Sequence, residues 1–435
     1  VRGLTLASNE HLQRLGYSKE VIKQLLLVQS ESYTGAVTEI KQYAEGDSGL
    51  YVPRAFMEGI FYDPSSGDQG RSLHKSAVEM TLRPYQVEAV RQVKQDVLEK
   101  GGAILVGGCG TGKTVMGSFL IKELGRRALV LVHKEFLMRQ FADTLRLAFP
   151  DWKIGFWARD EVPDGSEDVV IAMVQSLSLR EYDQELYDGF GTVVTDEVHR
   201  FSAPQWSRAI AMFSAAYRIG LTATPDRKDG LQSIFLNSIG PISHRVEGNL
   251  LKPTIYVRQT HSQYDYSRYR QYDGSPSMAK LINLIAADSE RSKRIAATVA
   301  RAVSAGRMCL VLTDRREHAT FLQHEIKLLC PDKKISLYLG GMKASERVAA
   351  ESSDVLIGTY SMAQEGLDIP RLDTLFFATP KTNVTQAVGR ILRPHPDKKK
   401  PFVVDFTDNN NITKAYYKKR QRYYESEGYE VFNKA

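Results

Sequence analysis

At 435 residues, with 43% hydrophobic and 25% charged side chains, the chain can form two or three domains with cores of their own and is too evenly mixed for wholesale disorder. No uninterrupted apolar span is long enough to cross a bilayer. The first residues, among them Arg2, Asn9, Glu10 and His11, lack the apolar core of a secretory leader, and three cysteines are too few for a disulfide scaffold or zinc knuckle, so a cytoplasmic chain with no membrane partner is expected.

The formal charge of +7 suits a polyanionic partner, although mild basicity alone is weak evidence. Residues 1–78 read as a small accessory domain with short helical patterns around Val21–Val28, ending in the Gly- and Pro-bearing stretch Asp63–Gly70. Between Arg2 and Ala77, eight Lys or Arg against nine Asp or Glu leave −1, so the rest of the chain carries the positive charge.

Residues 79–250 alternate short apolar runs with helical patterns. Ala103–Val106, Ala128–Val132, Val169–Met173, Thr192–Thr195 and Ile219–Thr222 have the continuous apolar character of buried parallel strands. Helices are expected over Lys113–Leu124 and Phe136–Leu147, and the alternation predicts a parallel sheet covered on both faces. Just before it, Leu82-Arg83-Pro84-Tyr85-Gln86 offers a glutamine amide able to meet a base donor and acceptor together, with a helix-start glutamine as the alternative.

Gly107-Gly108-Cys109-Gly110-Thr111-Gly112-Lys113-Thr114 is a complete phosphate-loop pattern between a strand and a helix. Glycines let successive amides surround phosphate oxygens, Lys113 brings charge to the β- and γ-phosphates, and the Thr114 hydroxyl suits magnesium. The helix N-terminus adds aligned amide dipoles. Asp196 and Glu197, in Thr195-Asp196-Glu197-Val198-His199, end a strand on the same sheet. One carboxylate can hold the metal and the other can orient and deprotonate water. ATP and Mg2+ are therefore the expected cofactors, and His199 is expected to link this site to Thr222-Ala223-Thr224.

His133 and Lys134 follow one strand, and Gln175 and Ser176 another, at positions suited to backbone phosphates or simply to solvated loops. Arg258–Tyr272 interleaves arginine with tyrosine, either a base-stacking loop or inter-domain packing.

A second α/β domain is expected over 251–412, from strands at Met308–Leu312, Val355–Gly358, Thr374–Phe377 and Phe402–Asp405 and a helix over Glu317–Leu328. Thr359, Tyr360 and Ser361 offer polar contacts after a strand. In Gln386-Ala387-Val388-Gly389-Arg390-Ile391-Leu392-Arg393 a helix would put both arginines on one face, suited to phosphate oxygens that gain charge during transfer. Residues 413–435 form a basic, tyrosine-rich tail, read as a helix covering this domain or a DNA contact.

Together these segments resemble the superfamily 2 helicases, from Leu82 to Arg393. The resemblance implies two tandem RecA-like parallel-sheet domains behind the accessory domain. It makes Gln86, with Arg83 beside it, the adenine reader, and places Gly108, Gly110, Thr111, Gly112, Lys113 and Thr114 in motif I and Asp196–His199 in motif II. Gly366 and Asp368 fall in a segment like motif V, and Gln386, Gly389, Arg390 and Arg393 match motif VI, so all but Gly389 join the expected nucleotide site. The DEVH order and Gly220–Gly230 are most similar to the XPB-type translocases and UvsW-like phage branch-migration helicases. That branch implies a monomeric ATP-driven motor on duplex or branched DNA at forks or recombination junctions, with replication or recombination proteins as partners and, for a phage protein, the host cytoplasm as location. An RNA helicase and a regulatory nucleic-acid-binding module with dispensable ATPase are the alternatives.

Overall fold

The computed structural model describes the chain apart from residues 1–3, 32–36, 109, 203–208, 226–230, 247–250, 261, 263, 265–276, 365–366, 368, 394 and 435. It divides into two units, Val1–Gly248 and Asn249–Ala435.

The first unit opens with more strand than the sequence suggests. β1 (Leu4–Ser8), β5 (Gly49–Pro53) and β4 (Ala44–Gly46) form an antiparallel sheet in that order, while β2 (Leu27–Glu31) and β3 (Val37–Lys41) pair separately. The helical pattern over Val21–Val28 is in fact a helix Lys19–Leu25 that gives way to β2. Ser18 caps that helix by accepting the Val21 N–H at 3.3 Å. Ala7, Leu12, Ile22, Leu26, Leu50, Val52, Phe56 and Phe61 make a core separate from that of the following sheet.

The accessory module is fastened to that sheet's loops through its last residues. The buried Arg54 guanidinium donates to Ser214 O at 2.7 Å, to Tyr62 Oη at 2.8 Å and to Ala215 O. Asp68 exchanges backbone hydrogen bonds with Ser214 and Ala216, and its carboxylate accepts the Gly189 N–H at 2.6 Å.

The central sheet of this unit contains β6 (Gly102–Gly107), β7 (Ala128–Val132), β8 (Ile154–Trp157), β9 (Val169–Met173), β10 (Thr192–Asp196), β11 (Tyr217–Thr222) and β12 (Ile242–Val246). All pairs are parallel, in the order β12-β6-β11-β10-β7-β9-β8. The five interior strands are the five expected ones. β8 and β12 are edge strands, shorter or more polar, and the apolar pattern does not mark them. Leader helix Pro84–Lys100 starts with proline at its first position, ends at Gly101 with φ +77°, and buries Ala89, Val90, Val93 and Val97.

The second unit repeats the design. β13 (Thr254–Gln259), β14 (Cys309–Thr313), β15 (Ile335–Tyr338), β16 (Val355–Thr359), β17 (Thr374–Phe377), β18 (Phe402–Thr407) and β19 (Glu430–Lys434) pair in parallel, in the order β15-β16-β14-β17-β18-β13-β19. Two RecA-like parallel sheets behind a small N-terminal module are thus the architecture. The tyrosine-rich tail is a helix, Asn411–Ser426, that covers this sheet, followed by the unpredicted strand β19. Its Arg420 makes a buried two-pronged pair with Asp405 at 2.8 Å on both sides, and Tyr424 Oη donates to the same carboxylate at 2.9 Å. Lys414, Lys418 and Lys419 face outward. Among the described residues no helix is long and apolar enough to cross a membrane. Cys309 and Cys330 are buried free thiols.

Candidate nucleotide site and nucleic-acid edge

The phosphate loop leaves the C-terminal end of β6, where open α/β sheets gather their ligand loops. Gly110 and Gly112 hold φ of +87° and +80°, which side chains rarely adopt. A Cβ on Gly112 would lie 2.4 Å from Gln86 Nε2. Thr111 closes the turn by donating its hydroxyl to Gly108 O at 2.8 Å, and Lys113 Nζ folds back onto Gly107 O at 3.0 Å. Thr114, half-buried, opens the helix Lys113–Leu124, whose amides face the loop.

Gln86 is placed beside this loop, yet its amide is already engaged. Its Oε1 accepts the Arg83 N–H at 2.9 Å and its Nε2 donates to Thr111 O at 3.0 Å. The same carbonyl takes the Tyr85 hydroxyl at 3.1 Å. Gln86 therefore caps its helix and braces the phosphate loop in this structure. The Arg83 side chain is exposed, with its guanidinium 3.3 Å from Tyr85 Oη. Sequence reading passed over Tyr85, although it stands in the same pentapeptide.

β11 lies between β6 and β10, so Thr222 sits between the phosphate loop and the acidic pair. Asp196 ends β10 opposite Leu221, and Thr222 pairs with Val106. Burial pushes the Asp196 carboxyl above the usual range, the Glu197 charge adds to this, and Lys113 opposes it. A buried strand-end carboxylate facing a lysine, with a threonine hydroxyl on the adjoining helix, is an oxygen donor set that fits a hard divalent cation. Thr114 and Asp196 are the residues that could hold one.

Glu197 occupies the left-handed region at φ +51°, and its N–H donates to Asp196 Oδ1 at 3.0 Å. His199 Nδ1 is 3.4 Å from Glu197 Oε2 and 2.9 Å from Thr222 Oγ1, which in turn accepts the Thr224 N–H at 3.1 Å. The link from His199 to Thr222 is the one the sequence leads one to expect.

The loops after β7 and β9 are neighbours, joined by Gln175 Nε2 donating to His133 O at 2.8 Å. His133 itself is buried, and burial first, with Arg200, Lys134 and His199 adding, pushes its pKa down to about 3. A neutral, enclosed imidazole offers no charge to a phosphate, so of this pair Lys134, half-exposed at the cap of helix Glu135–Ala148, is the better placed. Ser176 Oγ accepts the Arg159 N–H at 3.0 Å.

In the second unit Thr359 Oγ1 and Ser361 Oγ are 2.9 Å apart at the end of β16. Tyr360 departs from the expectation. It is 2% exposed, donates to Thr379 O at 2.6 Å and stacks on Phe377, so its side chain serves the core. The helix Thr385–Arg390 carries Gln386 and Arg390 but stops short of Arg393. Arg393 precedes Pro394, whose ring disfavours helical backbone before it, so the two arginines do not share a helical face. Cys109, Gly366, Asp368, Asp226–Gly230 and most of the 258–272 segment, including Arg268 and Arg270, lie outside the described residues.

A family model described as "Type III restriction enzyme, res subunit" matches residues 79–227. The chain is 31% identical over 361 residues, 81% of this chain and 69% of the other, to "Putative ATP-dependent RNA helicase L396" of Acanthamoeba polyphaga mimivirus. Among solved structures, the ATP-dependent type ISP restriction-modification enzyme LlaBIII, bound to DNA, aligns at 18% identity and TM-score 0.55 over 78% of this chain and 29% of its own. UvsW of T4 aligns over 96% of this chain and 95% of its own at 17% identity, with a TM-score of 0.37.

Proposed function

The chain belongs to the superfamily 2 helicases, ATP-hydrolysing enzymes that act on nucleic acid, and we propose that it works as a monomer moving along duplex or branched DNA to remodel forks or recombination junctions. The observation that carries the motor reading is the chain of contacts Glu197–His199–Thr222–Thr224, which runs from the hydrolytic carboxylate to the segment between the two nucleotide loops.

Membership of the class implies use of ATP and Mg2+. In this reading the phosphate-loop amides and Lys113 hold the β- and γ-phosphates, while Thr114 and Asp196 hold the cation. When bound, the cation neutralises charge developing on the phosphate oxygens. Glu197 orients the attacking water and takes its proton, and its left-handed backbone fixes the direction of that carboxylate. Arg390 and Arg393 supply positive charge to the transferring phosphate. Lys134, Gln175, Ser176, Thr359 and Ser361 meet the nucleic-acid backbone, which positions the strand without reading its bases.

The similarity of Gly220–Gly230 to XPB-type translocases supports DNA, and the LlaBIII enzyme is itself bound to DNA. The description of the mimivirus relative favours RNA as the second reading. Turnover and strand conversion compared on blunt DNA duplex, forks, four-way junctions and an RNA duplex separate the two. Forks and junctions should stimulate ATP turnover most and be converted, and a preference for RNA duplex would install the second reading.

A further inference from the structure

Lys398 reaches from the turn after Arg393 to two carbonyls far apart in the chain. Its Nζ donates to Pro370 O at 2.7 Å and to Arg393 O at 2.8 Å. The backbone N–H of Lys398 donates to His395 O at 3.2 Å, closing the turn that brings the side chain round. One ammonium thereby joins the exit of the segment like motif V to the end of motif VI.

The two ends it joins differ in local structure. Beside Pro370, Ile369 and Leu372 are buried, and the Arg371 guanidinium donates to Glu351 O at 2.7 Å and to Ser353 O. Arg393 instead lies beyond the last turn of its helix, in a bend ahead of proline. The ammonium therefore ties the bend at Arg393, which follows the buried Ile391 and Leu392, to the Pro370 segment. We propose that Lys398 is a positioning residue for ATP hydrolysis, fixing the backbone of Arg393 against the Pro370 segment so that its guanidinium is aimed before phosphate transfer.

Burial pushes the Lys398 ammonium down to about 8, with Asp373 opposing and the Arg393 guanidinium adding to the shift. A lysine with only a solubilising role would carry its head into water.

The inference rests on the assignment of Arg393 to the transferring phosphate, and the test keeps the two apart. Steady-state ATP turnover of the full chain is measured with the most stimulating nucleic acid for Lys398→Met, Lys398→Arg, Arg393→Ala and the Lys398→Met/Arg393→Ala pair. A misplacement of about 1 Å can cost up to about 100-fold in rate. Lys398→Met should lower kcat about tenfold with KM for ATP changed less than about twofold, and Lys398→Arg should recover most of it. The double variant should be no slower than Arg393→Ala alone, because coupled residues do not add. If Lys398→Met fails to fold, Lys398→Gln, which spans one carbonyl at most, carries the same comparison. Wild-type kcat in the Lys398 variants beside an impaired Arg393→Ala, or losses that multiply in the double variant, would overturn the proposal. A wild-type rate in Arg393→Ala would remove the arginine assignment and the inference with it.

Discussion

Glu197 is one of three described non-glycine residues with positive φ, a conformation costing roughly 1–2 kcal/mol for an L-residue. Such strain persists where the surroundings impose it. Here the Glu197 N–H donates to the Asp196 carboxylate, and His199 Nδ1 lies 3.4 Å from the Glu197 carboxylate. Glu197→Gln keeps the side-chain shape and should bind ATP while losing at least about 100-fold in turnover. Lys113→Ala should instead lose nucleotide binding. Parallel binding and turnover assays check both, and near-normal hydrolysis by Glu197→Gln would remove it as the base. Thr222→Val deletes the hydroxyl that His199 and Thr224 share, at nearly constant volume. Basal hydrolysis should survive while stimulation by nucleic acid falls several-fold, read as the ratio of turnover with and without DNA. These residues were legible in the sequence because their chemistry is compressed into contiguous segments after strands. Tyr360 was not, because a tyrosine after a strand reads the same whether its ring turns out or, as here, under Thr379.

The segment joining the accessory module to the sheet depends on one carboxylate. Asp168 is buried and accepts Arg71 Nη1 at 3.0 Å and the N–H groups of His74 and Lys153, each at 3.1 Å; His74 Nδ1 lies 2.7 Å away. Burial alone would raise its pKa, but the backbone donors of His74 and Lys153, with Arg71, outweigh it and hold the group below the usual carboxylate range. Asp168→Ala should destabilise the first unit by about 3 kcal/mol, since it strands several donors at once. For a depressed carboxylate the stabilisation is present above its unfolded pKa and is lost as pH falls through the folded one. Thermal melts should therefore show the wild type converging on Asp168→Ala in acid, below the ordinary carboxylate range, and a constant gap between them would contradict this. Nothing in the spacing of Arg71, His74 and Asp168 announces the cluster, because register between distant segments brings them together. β8, β12, β15 and β19 escaped the sequence for a related reason, while interior β13 escaped it because Thr254, Arg258 and Gln259 leave it only a three-residue apolar run. Edge strands are half wet, so they lack the continuous apolar run that marked β6, β7 and β9.

Two RecA-like sheets in one chain divide the proposed chemistry. The phosphate loop and the acidic pair belong to the first, while Arg390 and Arg393 belong to the second. Arg390→Ala should cut ATP turnover by orders of magnitude, as loss of an arginine finger does. DNA binding without nucleotide should fall only modestly, as expected for one backbone contact. Weak DNA binding with near-normal turnover at saturating DNA would make Arg390 a nucleic-acid contact instead. Hydrolysis at Glu197 is proposed to drive remodelling of branched DNA. Conversion of a labelled four-way junction, beside a matched RNA duplex, is followed with wild-type protein and Glu197→Gln. The wild type should convert the junction only with ATP and act little on RNA, and Glu197→Gln should convert none despite intact DNA binding. Junction conversion by Glu197→Gln would separate remodelling from hydrolysis at this residue, and RNA unwinding that outpaces junction conversion in the wild type would make RNA the substrate.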